Sequence, residues 1–339
     1  MKKLFSLLFI ASILLILTAC GESKEDTQKS VSAENKQDTV LEYQSTAGAV
    51  SFAELAYALG YLGDIKLEKV GDYKGGPESI QLTATGETDF GSSFNGAIAK
   101  SRAQGVKIKS VISYYGSDKD TYLGYYTLET SNIKEAKDLI GKKVGVNILG
   151  AHAEIALKQY LKDNGLSEDE IQKVELVVIP TSSAEQILRS GQVDVIALSG
   201  IARDKAVENG GLRLLFKDTD LFGEFVAGTY FFSDKYIEEN PDTVRTFVEG
   251  VAKAIEWART TPREEVIAKM EEIIKARPGN ETTENVKYWK STGIASEGGI
   301  ILEKDFQVWI EWLENNGVIK EGQVKAKDIY TNEFNPYSK

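Results

Sequence analysis

Cysteine and histidine are almost absent from this sequence of 339 residues, which has one of each, Cys20 and His152. A single cysteine cannot form an internal disulfide, and these two residues alone cannot supply a zinc site, a redox dithiol or a haem attachment motif. Proline is also scarce, with 6 residues against 30 glycines, which favours tight turns between strands and helices rather than disorder. We therefore expect no metal ion and no cofactor.

Basic residues are also fewer than acidic residues. Lys and Arg number 40 against 51 Asp and Glu, a formal net charge of −11 at pH 7. Lys2 and Lys3 lie in an N-terminal segment without acidic residues, so the chain from Cys20 onward has 38 basic and 51 acidic residues and a net charge of −13. Nucleic-acid binding needs a basic footprint that this composition lacks. Any anion site must therefore be local.

The first 20 residues have the pattern of an export signal. Lys2 and Lys3 precede an apolar run over 4–17, short for a membrane span, and small residues lead to Cys20. The segment resembles a bacterial lipoprotein signal, in which this Cys is acylated; a secretory signal with an incidental Cys is the alternative. We predict a signal peptide over 1–19, lipidation of Cys20, a flexible tether over 20–38, and a location on the extracytoplasmic face of the cell membrane.

The remaining chain alternates short β-rich runs with helical runs, which indicates βαβ units and mostly parallel sheets. Two sets of such units, over 39–114 and 143–198, follow the same order. Within them, residues 81–90 align with residues 186–195 at an offset of 105, with the same Gln, Gly and Asp. Helix-Gly-strand units are common, so chance similarity is the alternative to a duplicated lobe. The repeated order favours two related lobes.

Two apolar, Tyr-rich strands, 122–128 and 225–232, are predicted to cross between the lobes as a hinge. We predict that lobe 1 comprises residues 39–124 and 228–339 and that lobe 2 comprises residues 125–227. The C-terminal part of lobe 1 has the pattern of helices, with Pro near helix starts and Gly after helix ends. These helices are predicted over 241–259, 262–276, 284–290 and 304–315.

Five short motifs carry a family resemblance: GETDF at 86–90, LIGKKVGV at 139–146, GAH at 150–152, GQVD at 191–194 and NPD at 240–242. In this order they resemble the extracytoplasmic substrate-binding proteins of ABC importers, in the group that binds aliphatic sulfonates, taurine, nitrate and thiamine precursors. The resemblance implies an α/β, bilobal type II periplasmic-binding-protein fold, with two mixed, mostly parallel sheets joined by two hinge strands. It also implies delivery of a solute from the cleft to a permease and its ATPase. We expect a monomer.

Four turns are predicted to meet at the cleft, because ligands of open α/β sheets bind beyond the carboxyl ends of the strands. Free N–H groups and hydroxyls at helix N-termini bind anions without a fixed cation. His152 is the leading candidate because it follows Gly150 at such a terminus; a helix residue that faces solvent is the alternative. The predicted ligand contacts are Gln44, Ser45, Ser93, Asn95, Tyr115, Gly150, Ala151, His152, Ser199, Gly200 and Thr229.

These residues define the solute less closely than they define the position of the site. Ser93, Asn95 and Ser199 have the alternative role of helix N-caps, and Tyr115 that of a core or rim aromatic. The group that the chain resembles often has Ser where Ala151 stands and an aromatic-acidic pair where Ser199 and Gly200 stand, so this pocket is expected to be roomier and less polar. We predict a small organic anion, an aliphatic sulfonate or taurine, with nitrate, a thiamine-precursor pyrimidine or an aromatic ligand as alternatives.

A secreted hydrolase is the alternative of another class. Ser93 or Ser199 would be its nucleophile, His152 its base, and Asp89 or Asp118 the orienting acid. No Gly-x-Ser-x-Gly elbow precedes a helix in the sequence, however. The related thiamine-precursor synthases have a Cys-rich motif, and there is no Cys after Cys20. We therefore expect a binding protein rather than an enzyme.

Overall fold

The computed structural model describes residues 37–338. The predicted signal peptide, Cys20 and residues 20–36 of the predicted tether lie outside the described residues. The last two tether residues, Gln37 and Asp38, are bonded to the folded part. The Asp38 N–H donates to Asn240 Oδ1 over 2.9 Å, and Gln37 Oε1 accepts from the Asp242 N–H over 3.1 Å. The folded part therefore begins two residues earlier than predicted.

Ten strands and thirteen α-helices occur within residues 37–338, and no helix there is both long and apolar enough to cross a membrane. The strands are β1 (Val40–Ser45), β2 (Lys66–Asp72), β3 (Phe90–Phe94), β4 (Ile108–Ser117), β5 (Gly124–Leu128), β6 (Lys143–Val146), β7 (Glu175–Val178), β8 (Val195–Leu198), β9 (Leu212–Lys217) and β10 (Phe225–Ser233). The helices are α1 (Phe52–Ala58), α2 (Gly76–Thr85), α3 (Asn95–Ala103), α4 (His152–Asp163), α5 (Glu168–Ile171), α6 (Ala184–Arg189), α7 (Gly200–Glu208), α8 (Asp218–Phe222), α9 (Asp234–Glu239), α10 (Pro241–Thr260), α11 (Arg263–Ala276), α12 (Lys304–Asn315) and α13 (Ala326–Ile329).

The strands form two groups, which we call lobes. In lobe 1, β1 and β2 pair in parallel, and β10 lies between β3 and β4 and is antiparallel to both. In lobe 2 the order is β7-β6-β8-β5-β9, with β6 parallel to β7 and β8, and β5 antiparallel to β8 and β9. Each lobe thus has one strand that runs antiparallel to both of its neighbours. The predicted α/β fold is confirmed. The described strands form three sheets rather than the two predicted, and four of their seven pairings are antiparallel, so the sheets are not mostly parallel.

The crossings between the lobes lie just before the strands predicted to form them. The chain leaves β4 at Ser117 and enters β5 at Gly124, and it returns from β9 to β10 through α8. The predicted hinge strands correspond to β5 and β10, which are buried sheet strands because their apolar faces pack in the two lobes. The connecting segments at 118–123 and 218–224 cross instead. The lobe boundaries at 124/125 and 227/228 stay predictions.

The repeated Asp makes the same contacts in both lobes. Asp89 accepts from the Glu42 N–H over 2.7 Å and donates its own N–H to the Glu42 carbonyl over 3.0 Å. Asp194 makes the same two bonds with Lys143, both over 2.9 Å. The preceding glycines, Gly86 and Gly191, both have left-handed φ angles, 79° and 72°. The sequence repeat therefore corresponds to one structural unit that is present twice. In each copy, the Asp just before one strand bonds to the backbone of another strand of the same lobe.

Large apolar side chains pack on both faces of the lobe 1 strands that border the cleft. On one face of the lobe 1 sheet, α1 and the amphipathic α10 bury Phe247 against Phe90 and Tyr230. On the other face, α3 and α12 bury Trp309. Full burial of one such side chain contributes about 1.5–3 kcal/mol. The strand ends that face lobe 2 are therefore rigidly held.

Some helices and one strand differ from the prediction. The helix predicted over 284–290 is only a 3₁₀ turn, Val286–Tyr288. Sequence reasoning missed α7 and β9. In α7 the buried positions include the charged Arg203 and Asp204, so no apolar stripe reveals the helix.

Candidate functional site

A cavity of about 440 Å³ lies between the lobes, within the range of about 300–1,000 Å³ that is usual for small-molecule sites. We call it the aromatic chamber, because eight of the lobe 1 residues that line it are aromatic. Lobe 2 covers it with Thr181 and the start of α7. The aromatic residues are Tyr43, Phe52, Tyr73, Phe90, Tyr114, Tyr115, Tyr230 and Trp289; the lobe 2 residues are Thr181, Ser199, Gly200, Ile201 and Ala202.

The rings of the aromatic chamber pack against one another in edge-to-face contacts. The Tyr114 ring meets the edges of Tyr115 and Tyr230 at centroid distances of 5.5 and 4.8 Å, and Phe90 meets Tyr230 at 5.9 Å. Such pairs contribute about 0.5–1.5 kcal/mol each beyond the area they bury. Burial raises the pKa of Tyr114, Tyr115 and Tyr230 above the usual tyrosine value. Their hydroxyls therefore stay neutral at physiological pH.

One carboxylate reaches the chamber, and it is fully engaged. Glu54 Oε1 accepts from Tyr43, Ser45 and Arg277, the last over 2.8 Å, and Oε2 accepts from the N–H and hydroxyl of Ser51. Among the described residues that line the chamber there is no Lys, Arg or His. Since Arg277 neutralises Glu54 from behind, the chamber offers a solute hydroxyls and ring surfaces but no fixed charge that is free.

A second cavity of about 340 Å³ adjoins the first, and we call it the polar chamber. The two share the lining residues Thr46, Tyr73, Tyr115 and Thr181. The residues confined to the polar chamber come from both lobes and include the N-terminal residues of two helices, α2 and α4. They are Lys74, Gly75, Gly76, Pro77, Ser93, Phe94, Ala97, Asn147, Ile148, Ala151, His152 and Pro180.

Eight of the eleven predicted ligand contacts line one of these chambers. Gln44, Ser45, Tyr115, Ser199 and Gly200 line the aromatic chamber. Ser93, Ala151 and His152 line the polar chamber, as does Tyr115. Their contact with a solute stays a prediction.

The other three, Asn95, Gly150 and Thr229, line neither chamber. Asn95 and Thr229 are wholly buried and bonded to each other over 3.1 Å, and the Asn95 amide donates to the carbonyls of Val226 and Asp305. Asn95 thus joins three elements of lobe 1 and has no free group for a solute. The Gly150 N–H donates to Glu154 Oε2 over 2.7 Å, so the first turn of α4 satisfies it.

His152 is more enclosed than the sequence indicated. Its ring stacks on Phe94 at 5.3 Å and meets the edges of Phe225 and Trp309. Its Nε2 lies 3.1 Å from Asp218 Oδ2, an ion-pair distance, without the alignment of a hydrogen bond. The imidazole is therefore held between the lobes, where it borders the polar chamber and faces the buried Asp218.

Most of the aromatic chamber was missed by sequence reasoning. Tyr43, Phe90 and Tyr230 lie on strands whose apolar pattern indicates the protein core, and Trp289 lies in a segment predicted to be helical. The available signal was the presence of tyrosines on β1, β4 and β10, of which β4 has two and the others one each. It did not decide which rings face the cleft.

The arrangement required by a hydrolase is not formed. No hydrogen bond joins Ser93 or Ser199 to His152 within residues 37–338. Asp89 is engaged with Glu42, and Asp118 accepts from the N–H groups of Asp120 and Thr121 and from the Ser291 hydroxyl. Neither acid orients His152.

A family model described as NMT1/THI5 like matches residues 55–265. The chain is similar to the riboflavin-binding protein RibY of Chloroflexus aurantiacus, at 23% identity over 361 aligned positions that cover 99% of each chain. It is similar to the 4-amino-5-hydroxymethyl-2-methylpyrimidine phosphate synthase of Candida albicans, at 23% identity over 83% of this chain and 82% of the synthase. The periplasmic aliphatic sulphonate binding protein SsuA from Escherichia coli shares its fold, with a TM-score of 0.65 at 18% identity over 86% of this chain and 92% of SsuA.

Proposed function

Because the chain belongs to the NMT1/THI5-like family and has the fold of the substrate-binding proteins of ABC importers, we propose that it captures a planar aromatic heterocycle, of the flavin or pyrimidine class, for such an importer. The sequence led instead to an aliphatic sulfonate or taurine. The aromatic ligand, an alternative in that reading, accords better with the cavity between the lobes.

The observation that carries this proposal is the lining of the aromatic chamber. Eight aromatic side chains surround it, and Glu54, the only carboxylate among the described residues that line it, is paired with Arg277. A planar ring gains dispersion and edge contacts from such walls, and its nitrogen and carbonyl groups can bond to the neutral hydroxyls of Tyr, Ser and Thr. A small sulfonate or nitrate would gain little from the rings and would find no cation.

Similarity to a riboflavin-binding protein and to a synthase named for a pyrimidine phosphate supports the same ligand class. A ring held by lobe 1 would be covered by Ser199, Gly200 and Ala202 of lobe 2. Contacts with both lobes favour the closed state over the open one, because a ligand shifts a conformational equilibrium by its differential contacts. The closed form would then present one surface to the permease.

We also propose the setting in which this capture takes place. The chain acts as a monomer on the extracytoplasmic face, held to the membrane through acylated Cys20, and passes its solute to a permease and its ATPase. The relatives that bind periplasmic solutes support the location, and the sequence pattern before Cys20 supports the anchor.

An alkanesulfonate is the second candidate, since one observation favours it. The helix α7 begins at Gly200 with no side-chain cap, and Ser199 and Gly200 line the aromatic chamber. Unsatisfied N–H groups at such a terminus attract an anion.

Isothermal titration of the mature chain tests the proposal. We expect riboflavin or hydroxymethylpyrimidine to bind with a Kd in the micromolar range or below, and taurine, an alkanesulfonate and nitrate not to bind. Tyr114→Leu, which removes a chamber ring, should weaken binding about tenfold, a loss of about 1.4 kcal/mol. The control Tyr57→Leu, at a half-exposed tyrosine of α1, should not. Binding of a sulfonate, taurine or nitrate with no binding of either ring would contradict the proposal.

A further inference from the structure

The polar chamber opens onto the aromatic chamber, and its lining differs in chemistry. Tyr73 and Tyr115 border both, as do Thr46 and Thr181. A solute whose ring fills the aromatic chamber can therefore extend a substituent into the polar chamber. What that substituent is can be deduced from the groups that surround it.

The polar chamber is bordered by the uncapped N-terminus of a long helix. The ten-residue α2 begins at Gly76, and its N-cap Gly75 has no side chain to accept from the first N–H groups. Pro77 occupies the first turn, where it needs no hydrogen bond. The free N–H groups and the helix dipole place a partial positive charge at this end of the chamber.

A buried hydroxyl without a partner lies at the same place. Ser93 is wholly buried, lines the polar chamber, and its Oγ has no hydrogen-bond partner among the described residues. A Cβ at Gly76 would collide with this Oγ, so the hydroxyl faces the first turn of α2. A buried polar atom left unsatisfied costs about 1–3 kcal/mol, which a bound acceptor would remove.

The charges around the chamber are of both signs. Lys74 lies at its border with a side chain that is 74% exposed, 3.5 Å from Glu78 of the next turn. Asp218 is buried beneath His152, and its Oδ2 accepts from Ser117. Glu154 is occupied by Lys158 and the Gly150 N–H. Both acids lie outside the lining and have partners of their own, and Lys74 is the only Lys, Arg, Asp or Glu among the described residues that line the chamber.

We propose that the polar chamber binds an oxyanion, a phosphate ester or a carboxylate, carried by the same solute whose ring lies in the aromatic chamber. The anion accepts from the first N–H groups of α2 and from Ser93, and Lys74 turns from Glu78 to pair with it. This inference rests on the proposed function, and it makes the preferred solute an anionic aromatic heterocycle rather than a neutral one.

Titration of the mature chain with matched ligands tests this assignment. Riboflavin is compared with flavin mononucleotide, and pyridoxal with pyridoxal 5′-phosphate and with 4-pyridoxic acid, which separates phosphate from carboxylate. For the ring that binds, we expect an anionic member to bind about tenfold tighter than the neutral one. Lys74→Gln and Ser93→Ala should each reduce this ratio severalfold. Lys235→Gln, at an exposed lysine that pairs with Glu239 of the same helix and lines neither chamber, should preserve the ratio.

The outcomes separate the two proposals. If a ring binds but its anionic members bind no tighter than the neutral one, the oxyanion site is wrong and the aromatic solute stands. If no ring binds, the proposed function fails, and millimolar inorganic phosphate then tests the site alone. A rise in the Tm of the wild type that Lys74→Gln abolishes would support the site, and equal Tm values with and without phosphate would overturn it.

Discussion

Arg277 shows how one residue at the end of a helix organises the entrance to the cleft. It pairs with Glu54 over 2.8 Å and with Glu281 over 2.9 Å, and it donates to the carbonyls of Thr46 and Ala49. These bonds hold the loop after β1, from which Thr46 and Ala49 reach the aromatic chamber. The guanidinium has several donors in a fixed geometry, which a lysine does not supply.

Replacement of Arg277 by Ala should therefore destabilise the protein. It would leave the buried Glu54 carboxylate without its cation, and loss of one member of a buried ion pair costs about 3–5 kcal/mol. We expect a decrease of about 3 kcal/mol in the free energy of unfolding, measured by urea denaturation. The control Lys275→Ala removes an exposed ion pair with Glu271 and should change it by less than about 0.5 kcal/mol. A decrease below about 1 kcal/mol for the Arg277 variant would refute this role.

Residue type and position predicted several of the residues that line the cleft. Ser199 and Gly200 were identified because they follow the carboxyl end of a strand, a rule that depends on chain order alone. Gln44 was identified by the same rule, but in the structure it lies within β1. Asn95 and Thr229 met similar criteria, but they are bonded to each other inside lobe 1. The difference depends on which residues from distant segments lie opposite, and the sequence does not contain that information in readable form.

At the scale of elements, the repeated helix-Gly-strand unit was the most informative pattern. Its conserved spacing corresponds to α2 and β3 in one lobe and to α6 and β8 in the other, with Asp89 and Asp194 in the same role. The helix end and its Gly are predictable because capping involves neighbouring residues. The bonds of Asp89 to Glu42 and of Asp194 to Lys143 join residues 47 and 51 positions apart and were not predicted. The helix α7 was not predictable, since its buried face includes Arg203 and Asp204.

The two glycines of this unit should be equally sensitive to substitution. Gly86 and Gly191 have φ angles of 79° and 72°, and a Cβ at either position would meet no other atom within 4 Å. Ala therefore adds only backbone strain, about 1–2 kcal/mol. We expect Gly86→Ala and Gly191→Ala each to lower the free energy of unfolding by about 1 kcal/mol. Gly71→Ala, with open space and no positive φ, is the control. A large difference between the two repeat variants would show that the units are not equivalent.

At the scale of the whole molecule, α7 connects the chamber to the crossing segment. Its first residues line the aromatic chamber, and the next, Arg203, donates to the carbonyls of Asp120 and Tyr122 and lies over the Tyr122 ring at 3.9 Å. Asp204 pairs with Lys290 of lobe 1 over 2.9 Å. Any contact of a solute with α7 would therefore act on an element already bonded to the crossing segment and to lobe 1.

The Asp204–Lys290 pair should stabilise the closed arrangement. In Lys290→Glu two carboxylates would face each other, so the lobes should separate. We expect a larger radius of gyration without ligand by small-angle X-ray scattering and about tenfold weaker solute binding, although Lys290 does not line either chamber. The same charge change at Lys253, exposed on α10, serves as the control. An unchanged radius and affinity in Lys290→Glu would eliminate the ion pair as a stabiliser of closure.

The sequence by itself determined the export pattern, the α/β class, the repeated unit and the strand ends at which a solute would be held. Each of these depends on composition, periodicity or the order of neighbouring segments. Only the tertiary structure decided the character of the cleft. Tyr43, Tyr114, Tyr230 and Trp289 come from separate parts of the chain, and Arg277 neutralises Glu54 across more than 220 residues. An oxyanion site without a ring was therefore the natural prediction from turns alone, whereas in the folded chain the polar chamber adjoins an aromatic one.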